Sequence, residues 1–407
     1  MVPTATINNQ GTMKTMRKRI IYGATVIAAA ASGLLAFSAQ AQQQPIKIGM
    51  ITTLSGPGGY LGQDLRDGFK LAIDLEGGKL GGVPVELVVE DDGLKPGQGK
   101  QIAEKMLKTD GIKIMTGIVY SNVAGATVPD IVDSGALYVS PNAAPSNFAG
   151  KECHENYFVV SWQNDSLHES AGQNATNLGY KKAFILAPNY QAGKDALTGF
   201  KRYFKGEIAG EIYTRLDQTD FAAEMAQIRS ANPDVVFQFH PGGTGIAFLR
   251  QYQQAGLHGK IPMVVAAPSL DAVTLAAVGD AAVGLNVSSH WNSDFDNPAN
   301  KKFMEAWTKA YNRPATYYSS QGYDTALAIA SALKGSGGRT DVSALRGALV
   351  KADFQSVRGA FKFGPNQHPV QDWYALKVEK EGDKLILKTV GKVLSNHADV
   401  YAPQCKI

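Results

Sequence analysis

Apolar runs and helix-spaced stretches alternate along most of the chain. Ile46–Ile51 is a short apolar run that predicts a strand, and a Gly-rich loop follows it through Gly62. Leu65, Phe69, Ala72 and Ile73 then recur at helical spacing until Gly77-Gly78 stops them. Val83–Glu90 and Ile112–Val119 read as strands around a helix over Gln98–Lys108. Ser121–Ser134 reads as a helix despite Pro129, and Ala136–Ser140 as the next strand. The alternation then restarts. Phe158–Ser161 leads into a helix near Leu167–Leu178. Strands over Ala183–Ala187, Glu207–Tyr213, Val235–Phe239 and Met263–Ala267 then alternate with helices over Asp195–Phe204, Phe221–Ala231 and Ile246–Ala255. Two such series predict an α/β fold of two doubly wound, Rossmann-like lobes with mostly parallel sheets. From Asn300 onward, helices over Lys301–Tyr311 and Ser319–Leu333 and short strands near Phe361 and Tyr374 complete the lobes. No low-complexity linker separates the halves, which points to several crossings instead of one tether.

The first 41 residues read differently. Lys14–Arg19 is basic, Ile20–Phe37 is apolar and uncharged, and Ala39-Gln40-Ala41 precedes a cluster of Gln. This is the layout of a cleaved secretory signal, so residues 1–41 are expected to leave an exported, periplasmic protein. A membrane anchor is the alternative, but the apolar run is near the lower limit for spanning, and the small-residue exit favours cleavage. No Cys lies near the cut for a lipid anchor. Residues 1–12 are unusual ahead of such a segment, so Met13 or Met16 competes with Met1 as the start.

Composition changes the picture at three points. The 407 residues include 43 Gly, enough for the many tight turns of an alternating fold. Of the 40 basic residues four precede residue 42 while no acid does, which leaves an even 36 against 36 and argues against nucleic acid or a membrane surface as partner. Two Cys, Cys153 and Cys405, are too few for a disulfide scaffold or an all-cysteine zinc site. In an oxidising compartment they are expected to pair and tie the tail, residues 396–407, back to mid-chain; two separate thiols are the alternative.

Enzyme signatures fail. There is no G-x-S-x-G elbow. His168-Glu169 opens like a zinc-protease helix, but position 172 is Gly. Gly93 to Lys100 is one residue too long for a P-loop, and Gln101 stands where a hydroxyl is needed. Gly56-Pro57-Gly58-Gly59 misplaces the third Gly of a dinucleotide loop. The seven His lack metal-ligand spacing. No catalysis, cofactor or metal is expected. What remains are loops at strand C-terminal ends, where open α/β sheets bind ligands. Tyr120-Ser121-Asn122 and Asn142-Ala143-Ala144 follow two such strands, and Ser121 is placed to cap a helix whose free N–H groups suit a carboxylate. A purely structural cap is the competing reading of Ser121.

These residues resemble a family. Gly49-x-x-Thr52-Thr53-Leu54-Ser55-Gly56-Pro57, then Glu90-Asp91-Asp92 and Pro96, Gly117-x-x-Tyr120-Ser121, Gly135 to Ser140-Pro141, and Asn232-Pro233-Asp234-Val235-Val236 are similar in order and spacing to type I periplasmic solute-binding proteins of the Leu/Ile/Val-binding group. The resemblance implies residues 42–162 plus 290–370 as one lobe and 163–289 plus 371–395 as the other. A three-segment hinge would cross near Ser161–Gln163, Val287–His290 and His368–Tyr374. It implies a small ligand in the interlobe cleft, a monomer, and delivery to an ABC permease with cytoplasmic ATPases.

The resemblance also implies site residues: Tyr60, Leu61, Tyr120, Ser121, Asn122, Asn142, Ala143 and Ala144 from the first lobe side, Tyr190, His240, Pro241 and Ala267 from the second, and Tyr318. Amino-acid-binding members hold the ligand ammonium with an acid where this chain has Ala267. The cysteine pair usual near the cleft falls on Leu94 and Tyr120. An unpaired buried ammonium is costly, so the expected ligand is an amine-free carboxylate of the benzoate or hydroxycinnamate kind. The alternatives are a branched-chain amino acid or amide, with Asp271 or another acid reaching the amine, a secreted enzyme, or a sensor ectodomain.

Overall fold

The structure, a computed structural model, describes residues 44–407. The expected signal segment lies outside the described residues. The chain opens with β1 (Ile46–Thr52), α1 (Gly59–Leu75), β2 (Lys79–Leu80), β3 (Val83–Asp91), α2 (Pro96–Lys108), β4 (Ile114–Thr116), α3 (Ser121–Asp133), β5 (Leu137–Ser140) and β6 (Tyr157–Val159). These strands form one sheet in the order β2-β3-β1-β4-β5-β6, parallel except for β2. The order reverses direction between β1 and β4, which opens a crevice beyond their C-terminal ends.

The second half repeats the pattern with α4 (Asn164–Asn177), β7 (Lys182–Pro188), α5 (Gln191–Tyr203), β8 (Glu207–Thr214), α6 (Ala222–Ala231), β9 (Val235–Gln238), α7 (Gly243–Gln254), β10 (Met263–Ala266), α8 (Ala272–Val278) and β11 (Asn286–Ser289). Its parallel strands run β8-β7-β9-β10-β11, so the reversal falls between β7 and β9. The chain then adds α9 (Pro298–Tyr311), α10 (Tyr317–Gly335), α11 (Val342–Leu349), β12 (Lys362–Phe363), β13 (Pro369–Glu381) and β14 (Lys384–His397). Helix α10 packs along α1 beside the first sheet, while β13 joins β11 antiparallel in the second.

Three differences from the sequence expectation stand out. The strand near Tyr374 is half of a long hairpin, because Gly382 takes a left-handed φ of 60° and turns β13 into β14. Strand β14 pairs only with β13 and is half-exposed, so its mixed Lys, Thr and Val pattern does not announce a strand. The segment proposed as a crossing at Val287–His290 is mostly β11, and the chain leaves the second sheet only after Ser289. The last crossing is β13 itself. Its start lies beside β6, where the Val159 N–H donates to the Gln367 carbonyl at 3.0 Å, and its middle pairs with β11.

Helices α1 and α10 meet backbone to backbone. A Cβ on Gly68 would lie 1.9 Å from the Ser319 carbonyl oxygen, and one on Gly322 would lie 1.9 Å from that of Leu65. Gly322→Ala should therefore lower stability by about 1–3 kcal/mol, the usual cost of overpacking. Gly125→Ala, on α3 with open space around it, should be neutral or stabilising by up to about 1 kcal/mol. Urea denaturation of the two variants checks this contrast.

Candidate functional site

The two crevices face each other. The turn from β4 into α3 brings Val119, Tyr120 and Ser121, and the segment after β5 brings Asn142 and Ala143. The turn from β7 into α5 brings Tyr190 and Ala192, that after β9 brings Phe239 and Pro241, and the segment after β10 brings Pro268. Leu61 of α1, Tyr318 of α10, and Trp162, Asn164, Leu167 and His168 at the first crossing complete the lining. Three contacts between the lobes close the space. The Tyr60 hydroxyl donates to Asp271 Oδ2 at 2.9 Å, Ser146 donates through Oγ (2.7 Å) and N–H (3.1 Å) to Asp195, and the Gly243 N–H donates to the Pro57 carbonyl at 3.2 Å. What remains is narrow: about 380 Å³ free of protein atoms, of which only about 30 Å³ admits the centre of a water-sized sphere.

A wider groove, with about 810 Å³ open to the centre of such a sphere, lies elsewhere, between α8, the segment 291–294 and the β13–β14 turn. Its rim includes exposed Glu381, Asp383 and Lys384. The strand ends at the two reversals do not converge there, so the enclosed cavity is the better candidate.

Part of the lining is polar. Ser121 is the first residue of α3, and extended Tyr120 holds the cap position, so Ser121 is not the helix cap expected from sequence. Its Oγ instead accepts from Asn164 Nδ2 at 3.1 Å, which leaves its own hydrogen for an acceptor in the cavity. The Ser121 and Asn122 N–H groups at the start of α3 donate to no backbone carbonyl, unlike that of Val123, and carry the positive end of the helix dipole. Asn164 is held in turn, since Nδ2 also donates to Asp195 Oδ2 at 3.0 Å and Oδ1 accepts the Ala144 N–H at 3.2 Å. Asn142 donates to Gln321 Oε1 at 2.8 Å. No Asp, Glu, Lys or Arg lines the space. Aromatic rings line the space as well: Tyr120 and Tyr190 stand 6.4 Å apart, and Tyr190 stacks on Phe239 at 6.3 Å.

Of the residues named from sequence, Leu61, Tyr120, Ser121, Asn142, Ala143, Tyr190, Pro241 and Tyr318 come together here. Tyr60, Asn122, Ala144, His240 and Ala267 do not line the cavity. Tyr60 is spent on the interlobe bond to Asp271. Asn122 sits one position along α3 from Ser121, about 100° round the helix from it. The Ala144 N–H is committed to Asn164. His240 is held behind the wall by Thr214 (3.0 Å) and Gln238 (2.9 Å) and stacks on Phe248. Ala267 faces the outer groove, and its neighbour Pro268 takes the cavity position. Asp271 is also unsuited to an amine. It caps α8 through Thr274, carries the Tyr60 bond, and burial pushes its carboxyl up to about 6.

The pattern of the periplasmic binding protein family matches residues 45–383. The chain belongs to this family. A Leu/Ile/Val-binding protein homolog 6 from Brucella melitensis is 28% identical, with 83% of this chain and 88% of that one aligned. A solute-binding protein of an ABC transporter from R. palustris, solved with benzoate, is 30% identical over 89% of this chain and 100% of that one, with a TM-score of 0.84. Another from R. palustris, solved with 4-hydroxybenzoate, is 27% identical over 87% and 98%, with a TM-score of 0.82. Among the described residues no helix is long and apolar enough to cross a membrane.

Trp162, Asn164, Leu167, His168, Ala192, Phe239 and Pro268 were not legible as site residues. Asn164, Leu167 and His168 carry a weak signal, an i, i+3, i+4 set starting directly after a crossing. Core packing produces the same spacing.

Proposed function

We propose that this chain captures an aromatic carboxylate between its lobes in the periplasm and delivers it to the permease of an ABC importer, without chemical turnover. One observation carries the ligand class. The cavity joins neutral hydroxyl and N–H donors at a helix start to an aromatic wall, and it has no acid to take an ammonium. Ser121 and the start of α3 serve the carboxylate, and Tyr120, Tyr190 and Phe239 enclose the ring. The benzoate and 4-hydroxybenzoate bound by the R. palustris proteins support this reading. The name of the Brucella relative favours an amino acid instead. Such a ligand would leave its ammonium buried without a charged partner, which costs several kcal/mol.

Titration calorimetry with benzoate, 4-hydroxybenzoate, 4-coumarate, leucine and phenylalanine tests the choice. Binding of the aryl acids with no heat from the amino acids is the expected result. Tighter binding of leucine would end the aromatic reading while leaving family membership intact. Ser121→Ala should weaken the aryl acid by about 1.5–3 kcal/mol, the worth of a hydrogen bond to a charged group. Unchanged affinity in the folded variant would remove Ser121 from the site.

A further inference from the structure

His168 lines the same cavity and has no assigned task. Its side chain is buried, and its Nδ1 has no hydrogen-bond partner. The ring stands edge-on to Phe239 at 4.7 Å and to Phe237 at 5.7 Å, so its surroundings are apolar. Burial pushes the imidazole down to about 3, which leaves it neutral, with one N–H donor and one acceptor. Buried polar atoms without partners are uncommon and costly in folded proteins. His168 is among the residues lining the cavity, so a group that enters the space comes within reach of this ring.

Its place along the cavity says which group. Asn164, Leu167 and His168 are spaced i, i+3, i+4 on α4, and all three line the space. They form one face of the helix. Asn164 lies beside the proposed carboxylate site, because it donates to Ser121 Oγ. His168 stands one turn further along, about 5–6 Å down the axis. That is roughly the span of a benzoate ring from its carboxyl carbon to a meta or para substituent. A second carboxylate there would be an unpaired buried charge facing a neutral ring, whereas a hydroxyl can both donate and accept.

We propose that His168 hydrogen-bonds a ring hydroxyl of the ligand, so that the site selects hydroxyaryl carboxylates over unsubstituted and dicarboxylate analogues. The assignment rests on the aryl-carboxylate reading above.

Calorimetry on the exported chain with benzoate, 3-hydroxybenzoate, 4-hydroxybenzoate and terephthalate tests it. Wild type should bind one of the hydroxybenzoates at least about 10-fold more tightly than benzoate, and terephthalate most weakly. His168→Phe should erase that preference, and His168→Gln, which keeps a donor and an acceptor, should restore part of it. The readout is a ratio of two affinities in one protein, so general loosening of the site cancels. Should His168→Phe fail to fold, His168→Leu is read the same way. Equal affinities in wild type, or a preference that survives His168→Phe, would overturn the role of His168 and leave the aryl-carboxylate reading standing. Wild type that binds none of the four acids and no 4-coumarate would overturn both.

Discussion

Replacing Arg358 with Met should lower the unfolding free energy by about 3–5 kcal/mol, the cost of removing one partner from a buried ion pair. Arg358 and Asp324 are both almost fully buried and lie 3.1 Å apart. Burial pushes the Asp324 carboxyl up and the Arg358 guanidinium down, so neither charge is comfortable alone. Each is held by its neighbours. Asp324 of α10 also accepts from Ser356 Oγ (2.5 Å) and the Val357 N–H (3.0 Å). Arg358 Nη1 donates to the Ser161 carbonyl at 2.9 Å and to Gln371 Oε1 at 2.8 Å. Ser161 belongs to the first crossing and Gln371 to β13, so one guanidinium fastens two of the three strands of chain between the lobes to the first lobe's helix. With Arg358 gone, Asp324 should hold its proton above the unfolded value. Stability of the variant should then fall as pH rises from that value through the raised one, because the folded state binds more protons. Urea midpoints between pH 4 and 8 measure both effects. An Asp324→Leu, Arg358→Met double variant should recover part of the loss, since no charge is then left unpaired. A single variant as stable as wild type would show that water reaches the pair.

The alternating strands were legible because β1, β5, β7, β9 and β10 are buried on both faces, so they appear as continuous apolar runs. The hairpin of β13 and β14 was not, since an edge strand half in water has no such run. Loops at strand ends gave up most of the cavity for the same topological reason: parallel strands put their following turns on one side. Residues whose role depends on a distant partner stayed hidden. Tyr60 looks like Tyr318 in sequence, yet its hydroxyl meets Asp271, 211 positions away. His168 and Glu169 are adjacent, but one lines the cavity while the other pairs with Arg202 and His397. Ala267 missed by a single residue, because a short 3₁₀ turn after β10 hands the cavity to Pro268.

Reduction of the protein should lower its melting temperature by about 5 °C. Cys153 and Cys405 are bonded, with Cα atoms 5.6 Å apart and 252 positions between them in sequence. A loop of that length removes much entropy from the unfolded chain, which corresponds to roughly 3–5 kcal/mol of stability. For a chain of this size, an unfolding entropy of about 2.1 cal/mol/K per residue converts that to a shift of roughly 4–7 °C. The bond also acts locally. The tail after β14 touches both lobes: Tyr401 donates to Asp165 Oδ2 at 2.8 Å on α4 and accepts from Arg202 at 3.2 Å, while Asp399 accepts from Asn366 at 2.9 Å. Asn366 also donates to the Ala149 carbonyl at 2.8 Å, beside the turn that holds Cys153. These bonds survive reduction in the folded protein, so the secondary structure should not change below the transition. The loss should come from the unfolded state, and Cys405→Ser should melt with the reduced wild type. Melts with and without a phosphine reductant, together with thiol counting in denaturant, decide the matter. Two reactive thiols per chain without reductant would show that the bond does not form, and an unchanged midpoint on full reduction would show that the tail contacts alone hold the end of the chain.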